Sequence, residues 1–105
     1  MSIAILEKDS ERVLARGEAG KEPLKFEGNW YFDPATVEAS LLVVTDRTYT
    51  CPTKGTCNWV DFVAPDGRQV KDVAWVYPKT KPGHEAIAGR YGFYAGARNG
   101  TKQEG

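Results

Sequence analysis

The sequence predicts a mainly β protein: a single compact domain of short antiparallel strands, a small barrel or a tent-like sheet, with one or two short helices. Three observations carry this expectation. Short segments rich in Val, Tyr, Trp and Phe alternate with Gly, Pro and Asp punctuation, as strands do with turns. The three-and-four spacing of an amphipathic helix is weak almost throughout. A chain of 105 residues is about one domain with one modest core.

The elements follow in order. The start, MSIAILEKDSERV, holds a four-residue apolar patch that ends in charges, unlike a secretory core. Part of Glu18 to Pro23 is expected to be disordered. LKFEGNWYF, Leu24 to Phe32, reads as a strand, and Asp33-Pro34-Ala35-Thr36 as a helix start with Asp33 as N-cap and Pro34 at the first helical position. That helix is a turn or two long, because LLVVTDRTYT resumes β-like composition. The clearest unit is a hairpin with arms Asn58 to Val63 and Arg68 to Tyr77. Between them, Pro65 and Asp66 suit the centre of a type I turn and Gly67 takes the positive φ that follows. Alternation along the second arm puts Val73, Trp75 and Tyr77 on one face and Asp72, Ala74 and Val76 on the other. His84 to Arg90 is a second short helical segment, and Tyr91 to Ala95 a closing strand. Residues 1–97 form the domain; the tail 98–105, RNGTKQEG, has no large apolar residue and is expected to be disordered.

Charge and cysteine content exclude several functions. With 14 basic and 14 acidic residues the formal net charge is zero, so no field of one sign gathers phosphate backbones or anionic lipid. Neither nucleic acid nor a membrane surface is an expected partner, and no apolar run is long enough to span a bilayer. The expected location is the cytoplasm. Two cysteines are too few for the disulfide framework of a small secreted domain, and reduced thiols are the cytosolic default.

In chain order, WYFDP, SLLVVTDRTYTCPTKGTCNWV, VKDVAWVYPKTKP and EAIAGRYGFY resemble the DUF427 family, a family of small domains of unknown function filed in some schemes as nucleotidyltransferase-like. The resemblance runs from about Trp30 to Tyr94. Cys51-Pro52-Thr53-Lys54-Gly55 matches the family's most recognisable signature, whereas at Cys57 the family more often has a small non-cysteine residue. The resemblance implies a compact, mostly β domain and no established activity.

The chemistry of the stretch TYTCPTKGTCNWV, Thr48 to Val60, is bounded by its spacing. Zinc asks for about four Cys or His ligands in close pairs, and the supply is Cys51, Cys57 and His84, with five residues between the cysteines. No metal and no cofactor is expected. A redox pair would have two intervening residues and a helix N-terminus. Cys51 as a lone nucleophile has Lys54 three residues on to lower its pKa; the structural alternative is a small buried hydrophobe at a strand end, with Pro52 breaking the ladder and Gly55 allowing the bend. His84, after a Pro-Gly turn, reads as a surface residue. Nucleotidyl transfer needs paired metal-bridging carboxylates and a phosphate cradle. Asp46, Asp61, Asp66 and Asp72 are isolated in sequence, and neither GxGxxG nor GxxxxGK[ST] occurs.

A ligand site is what these exclusions leave. Tyr49, Cys51, Lys54 and Gly55 of the loop, with Trp75 and Tyr77 of the hairpin, frame a cleft with aromatic walls and one cation, suited to a small planar or anionic molecule. The structural alternative makes Trp75 and Tyr77 plain core. A small enzyme with Cys51 as its catalytic residue, or a protein-interaction module using exposed aromatics and a sheet edge, are the other function classes.

Overall fold

In the computed structural model, which describes residues 2–18 and 20–105, nine antiparallel strands divide between two sheets. In chain order they are β1 (Ser2–Glu7), β2 (Val13–Glu18), β3 (Leu24–Phe26), β4 (Asn29–Phe32), β5 (Leu42–Cys51), β6 (Gly55–Val63), β7 (Gln69–Val76), β8 (Tyr91–Phe93) and β9 (Thr101–Glu104). The smaller sheet has the order β2-β1-β9 and the larger β3-β4-β8-β7-β6-β5. Among the described residues helix is confined to single 3-10 turns at Pro34–Thr36, Ala39–Leu41 and Glu85–Ile87. The first is capped as its sequence predicts, with the Asp33 carboxylate accepting from Ala35 N at 2.8 Å. No helix among the described residues is long and apolar enough to cross a membrane.

Period-two alternation explains why the larger sheet is buried on both faces. Trp30 and Phe32 of β4, Val60 and Phe62 of β6, Ala74 and Val76 of β7 and Phe93 of β8 face the smaller sheet. There they meet Ile3 and Ile5 of β1 and Leu14 and Ala15 of β2. Each fully buried Ile, Leu or Phe contributes about 1.5–3 kcal/mol through removal of apolar surface from water. The intervening residues, Tyr31, Cys57, Trp75 and Tyr77, belong to a second cluster on the opposite face, with Trp59 and Tyr94 packed against it.

The Pro65-Asp66-Gly67 turn forms as read, with Gly67 at φ 92° and Gly67 N donating to Ala64 O at 2.9 Å. The alternation predicted for its second arm breaks at one point. Val73 packs with Ala74 in the core between the sheets and not beside Trp75. The cause is a bulge: Val60 pairs Ala74 while Phe62 pairs Val70, and Asp72 takes φ 60° within the extra length.

Three further expectations are corrected. LKFEGNWYF is not one strand but the hairpin β3–β4, because Glu27 and Gly28 both adopt positive φ, 51° and 84°, as a two-residue type I′ turn requires. The segment 98–105 is not a disordered tail: β9 pairs with β1 from Ala4↔Glu104 to Glu7↔Thr101. Gln103 Oε1 accepts from Trp30 Nε1 at 2.9 Å and from Gly96 N at 3.0 Å. This strand is held by its backbone ladder and by side-chain hydrogen bonds, which a composition-based reading does not register. Within Glu18 to Pro23, Ala19 lies outside the described residues, but Glu22 is tied down, accepting from Asp33 N at 2.7 Å and from Arg90 Nη1 at 2.6 and 2.8 Å.

Candidate functional site

The second cluster is built around Trp75. Its indole meets Tyr31 and Trp59 edge to face, with ring centroids 6.0 and 6.2 Å away, and lies 4.7 Å from the Tyr94 ring. Nε1 of Trp75 donates to the Tyr31 hydroxyl at 3.1 Å, which satisfies the buried indole N–H. Gly92, its cross-strand partner on β8, makes this placement possible, since a Cβ there would fall 2.3 Å from Trp75 Nε1.

Beside this cluster lies a cavity of about 150 Å³. Its aromatic lining is Tyr31, Tyr49, Trp75, Tyr77 and Tyr94; its polar lining is Glu27, Asn29, Lys54 and Cys57. Four of the six residues selected from sequence, Tyr49, Lys54, Trp75 and Tyr77, therefore share one cavity. Trp75 and Tyr77 are core residues and cavity wall together, being 6% and 3% exposed. Tyr49, at 53% exposure, is the outer wall and tilts towards Trp59.

The remaining two, Cys51 and Gly55, shape the loop. They pair across the end of the β5–β6 hairpin, and the turn between them is strapped by Lys81, whose N donates to Lys54 O and whose Nζ donates to Pro52 O, both at 2.9 Å. Gly55 has φ 117°, and a Cβ on it would lie 3.3 Å from Lys79 O, so both its conformation and its space call for glycine. Cys51 is half-buried with Sγ 3.3 Å from the Thr53 hydroxyl. That hydroxyl, with the N–H groups of Thr53 and Lys54, holds the thiol down to about 7. Burial pushes the Cys57 thiol up instead. Both cysteines are free thiols.

The Lys54 side chain is 16% exposed and its ammonium lies 2.5 Å from the Glu27 carboxylate. Burial works against its charge, but the Glu27 hydrogen bond and neighbouring negative groups outweigh that, and the pKa is raised. Burial likewise raises the phenol pKa values of Tyr31 and Tyr77, which keeps both as neutral hydroxyls. The Asn29 side-chain amide has no hydrogen-bond partner among the described residues.

Sequence reasoning missed Glu27, Asn29, Tyr31, Cys57 and Tyr94 of the lining, and Gly92 behind it. The first two were hidden by reading the Glu-Gly turn as strand interior; Gly28 inside that run, and Gly92 inside YGFY, were the signals of a turn and of a close approach. His84 is not the surface residue its Pro-Gly setting suggests. Its ring packs edge-on against Phe26, centroids 5.6 Å apart, and Nδ1 is buried without a hydrogen-bond partner among the described residues.

The acidic residues also rearrange. The bulges in β5 and β7 bring Asp61 and Asp72, separate in sequence, to the Arg47 guanidinium, which donates to both carboxylates, to Asp72 at 2.7 Å. Buried Asp61 also accepts from Asp72 N and from Gln69 Nε2, and although burial opposes its charge these partners lower its pKa overall. The two acids thus share one arginine, which fastens β5 to the β6–β7 hairpin. Among the described residues no three His, Cys, Asp or Glu side chains group as a metal site.

No curated protein matches the chain. A protein-family model described as a domain of unknown function, DUF427, matches residues 21–104, reaching beyond the Trp30 to Tyr94 resemblance into β3 at one end and β9 at the other. With that match spanning all six strands of the larger sheet and β9 of the smaller, the chain belongs to the DUF427 family.

Proposed function

We propose that this domain binds a small planar or anionic molecule in the cleft between the CPTKG loop and the aromatic strand β7. The observation that carries the reading is convergence: Tyr49 and Lys54 from the loop hairpin, Trp75 and Tyr77 from β7 and its end, and Tyr31 from β4 line one cavity. Small-molecule sites are concave and mostly apolar, with a few placed polar groups, and this cavity has that composition. Lys54 supplies the cation for the ligand's polar or negative end, and the rings supply faces and edges for its plane.

The test is retention of a metabolite from a cell extract by the immobilised protein, followed by the same measurement on two variants. Lys54→Ala is expected to lower stability by about 1 kcal/mol, because it removes a partly buried side chain and its ion pair with half-exposed Glu27, yet to bind the retained molecule at least tenfold more weakly. Trp75→Ala is expected to lose about 3–5 kcal/mol of stability irrespective of ligand, since it empties a buried aromatic position. Parent-like binding by Lys54→Ala overturns the reading.

A second reading, an interaction module, is favoured by one observation: Val43, Val44 and Tyr49 on the edge strand β5 are 48%, 47% and 53% exposed. Binding lost on Val43→Lys but kept on Lys54→Ala would favour it over the cleft.

A further inference from the structure

We propose, resting on the cleft reading above, that the ligand is an uncharged single-ring heterocycle presenting an N–H beside a C=O (a cyclic amide, imide or urea), read jointly by Lys54 and Glu27. Three observations lead there.

The cation of the cleft is already paired. With Lys54 Nζ and Glu27 Oε1 2.5 Å apart at the cavity wall, a ligand anion drawn to the ammonium also meets the carboxylate, and a ligand cation meets the reverse. Net charge is therefore selected against in both signs. Hydrogen-bonding capacity remains, since an ammonium has three donors and a carboxylate about four acceptor sites. Donor and acceptor stand side by side at nearly the separation of the O and N atoms within one amide, roughly 2.3 Å from standard bond lengths. An N–H beside a C=O satisfies both at once.

Glu27 is held in this position by its backbone. It occupies φ 51° in a type I′ turn, where Asn, Asp or Gly is the usual residue. Its side chain reaches from that turn to Lys54, which lies 27 residues further along the chain. Asn29, two residues on, lines the same cavity with an amide that has no hydrogen-bond partner among the described residues, adding a second donor and acceptor.

Size sets the ring count. A space of about 150 Å³ is the scale of an engineered cavity that takes up benzene, so one ring fits and a fused pair projects into solvent. The walls are Tyr31, Trp75, Tyr77 and Tyr94 rings, suited to a planar π-system.

The experiment titrates the full ¹⁵N-labelled chain at pH 7 with uracil, 2-pyridone, 1,3-dimethyluracil and benzoate. Uracil or 2-pyridone is expected to shift Lys54, Gly28 and the Trp75 indole N–H saturably. Dimethyluracil, which keeps the ring and loses the N–H, is expected to bind at least tenfold more weakly, and benzoate likewise. Glu27→Ala is expected to reverse the preference, weakening uracil about tenfold and strengthening benzoate, with the amide spectrum elsewhere unchanged. The inference is overturned if dimethyluracil matches uracil, if benzoate is preferred by the parent, or if neither lactam shifts the cleft. The cleft reading itself survives a benzoate preference; it falls if the molecule retained from cell extract leaves the cleft resonances in place or binds Lys54→Ala as it binds the parent.

Discussion

Cys51 and Cys57 lie on neighbouring strands, yet their surroundings act on them in opposite directions. The Thr53 hydroxyl and two backbone N–H groups hold the Cys51 thiol down to about 7, whereas burial raises that of Cys57. Because the thiolate is the nucleophile, alkylation by iodoacetamide is expected to be selective. Mass spectrometry of briefly treated protein should find label on Cys51, its rate rising through about pH 7, and almost none on Cys57 until the protein unfolds. Equal labelling of the two would mean that the turn does not hold the thiolate. The same residue answers the structural alternative raised by its sequence: Cys51 does pack against the aromatic cluster at a strand end, and its sulfur is hydrogen-bonded as well.

Among the elements, β1 and the β6–β7 hairpin are fastened through Glu7. This fully buried carboxylate at the end of β1 accepts from Arg68, just past the hairpin turn, and from the N–H groups of Asp9 and Ser10 at 3.0 and 2.9 Å. Burial opposes its ionisation, but these donors prevail and bring its pKa from 4.5 to about 2. A carboxylate whose pKa is depressed on folding stabilises the native state above its unfolded pKa and loses that stabilisation as pH falls through the folded one. The expected contribution is on the order of 2 kcal/mol, discounted for the partial exposure of Arg68. It is lost between about pH 4.5 and 2. Urea melts of the parent and of Glu7→Gln should show that the variant loses less stability across this window. Elements of this kind were unevenly legible. Turns announced by Pro-Asp-Gly and caps announced by Asp-Pro were read correctly, because the residue itself fixes the backbone. The β3–β4 turn was not, because Glu27 reaches positive φ without being Gly, Asn or Asp, and the bulge at Asp72 was not, because it depends on pairing between strands. The cleft followed the same division: its loop residues were found by local signature, while Glu27, Asn29 and Tyr31 came from a hairpin whose position only the sheet order reveals.

At the scale of the whole molecule, the smaller sheet closes one side of the core with strands from both extremes of the described chain. Ending the chain at Gly100 removes β9, the partner of Ala4 to Glu7, together with buried Thr101 and the Gln103 acceptor of Trp30. A loss on the order of 3 kcal/mol is expected from a short ladder at about 1 kcal/mol per net hydrogen bond. A thermal melt of the shortened protein, with its midpoint lowered by several degrees, checks this; an unchanged midpoint would show that β9 adds nothing. The β1–β9 pairing also sets an order of events during synthesis. β1 leaves the ribosome before every other described strand, and its outer edge stays open until Thr101 to Glu104 have emerged as well. Throughout that interval the nascent chain carries an apolar strand with one edge unpaired, the state in which edge-to-edge association with other chains is most favourable. The aromatic cleft, whose strands all precede Ala95, can assemble before β1 has been sealed.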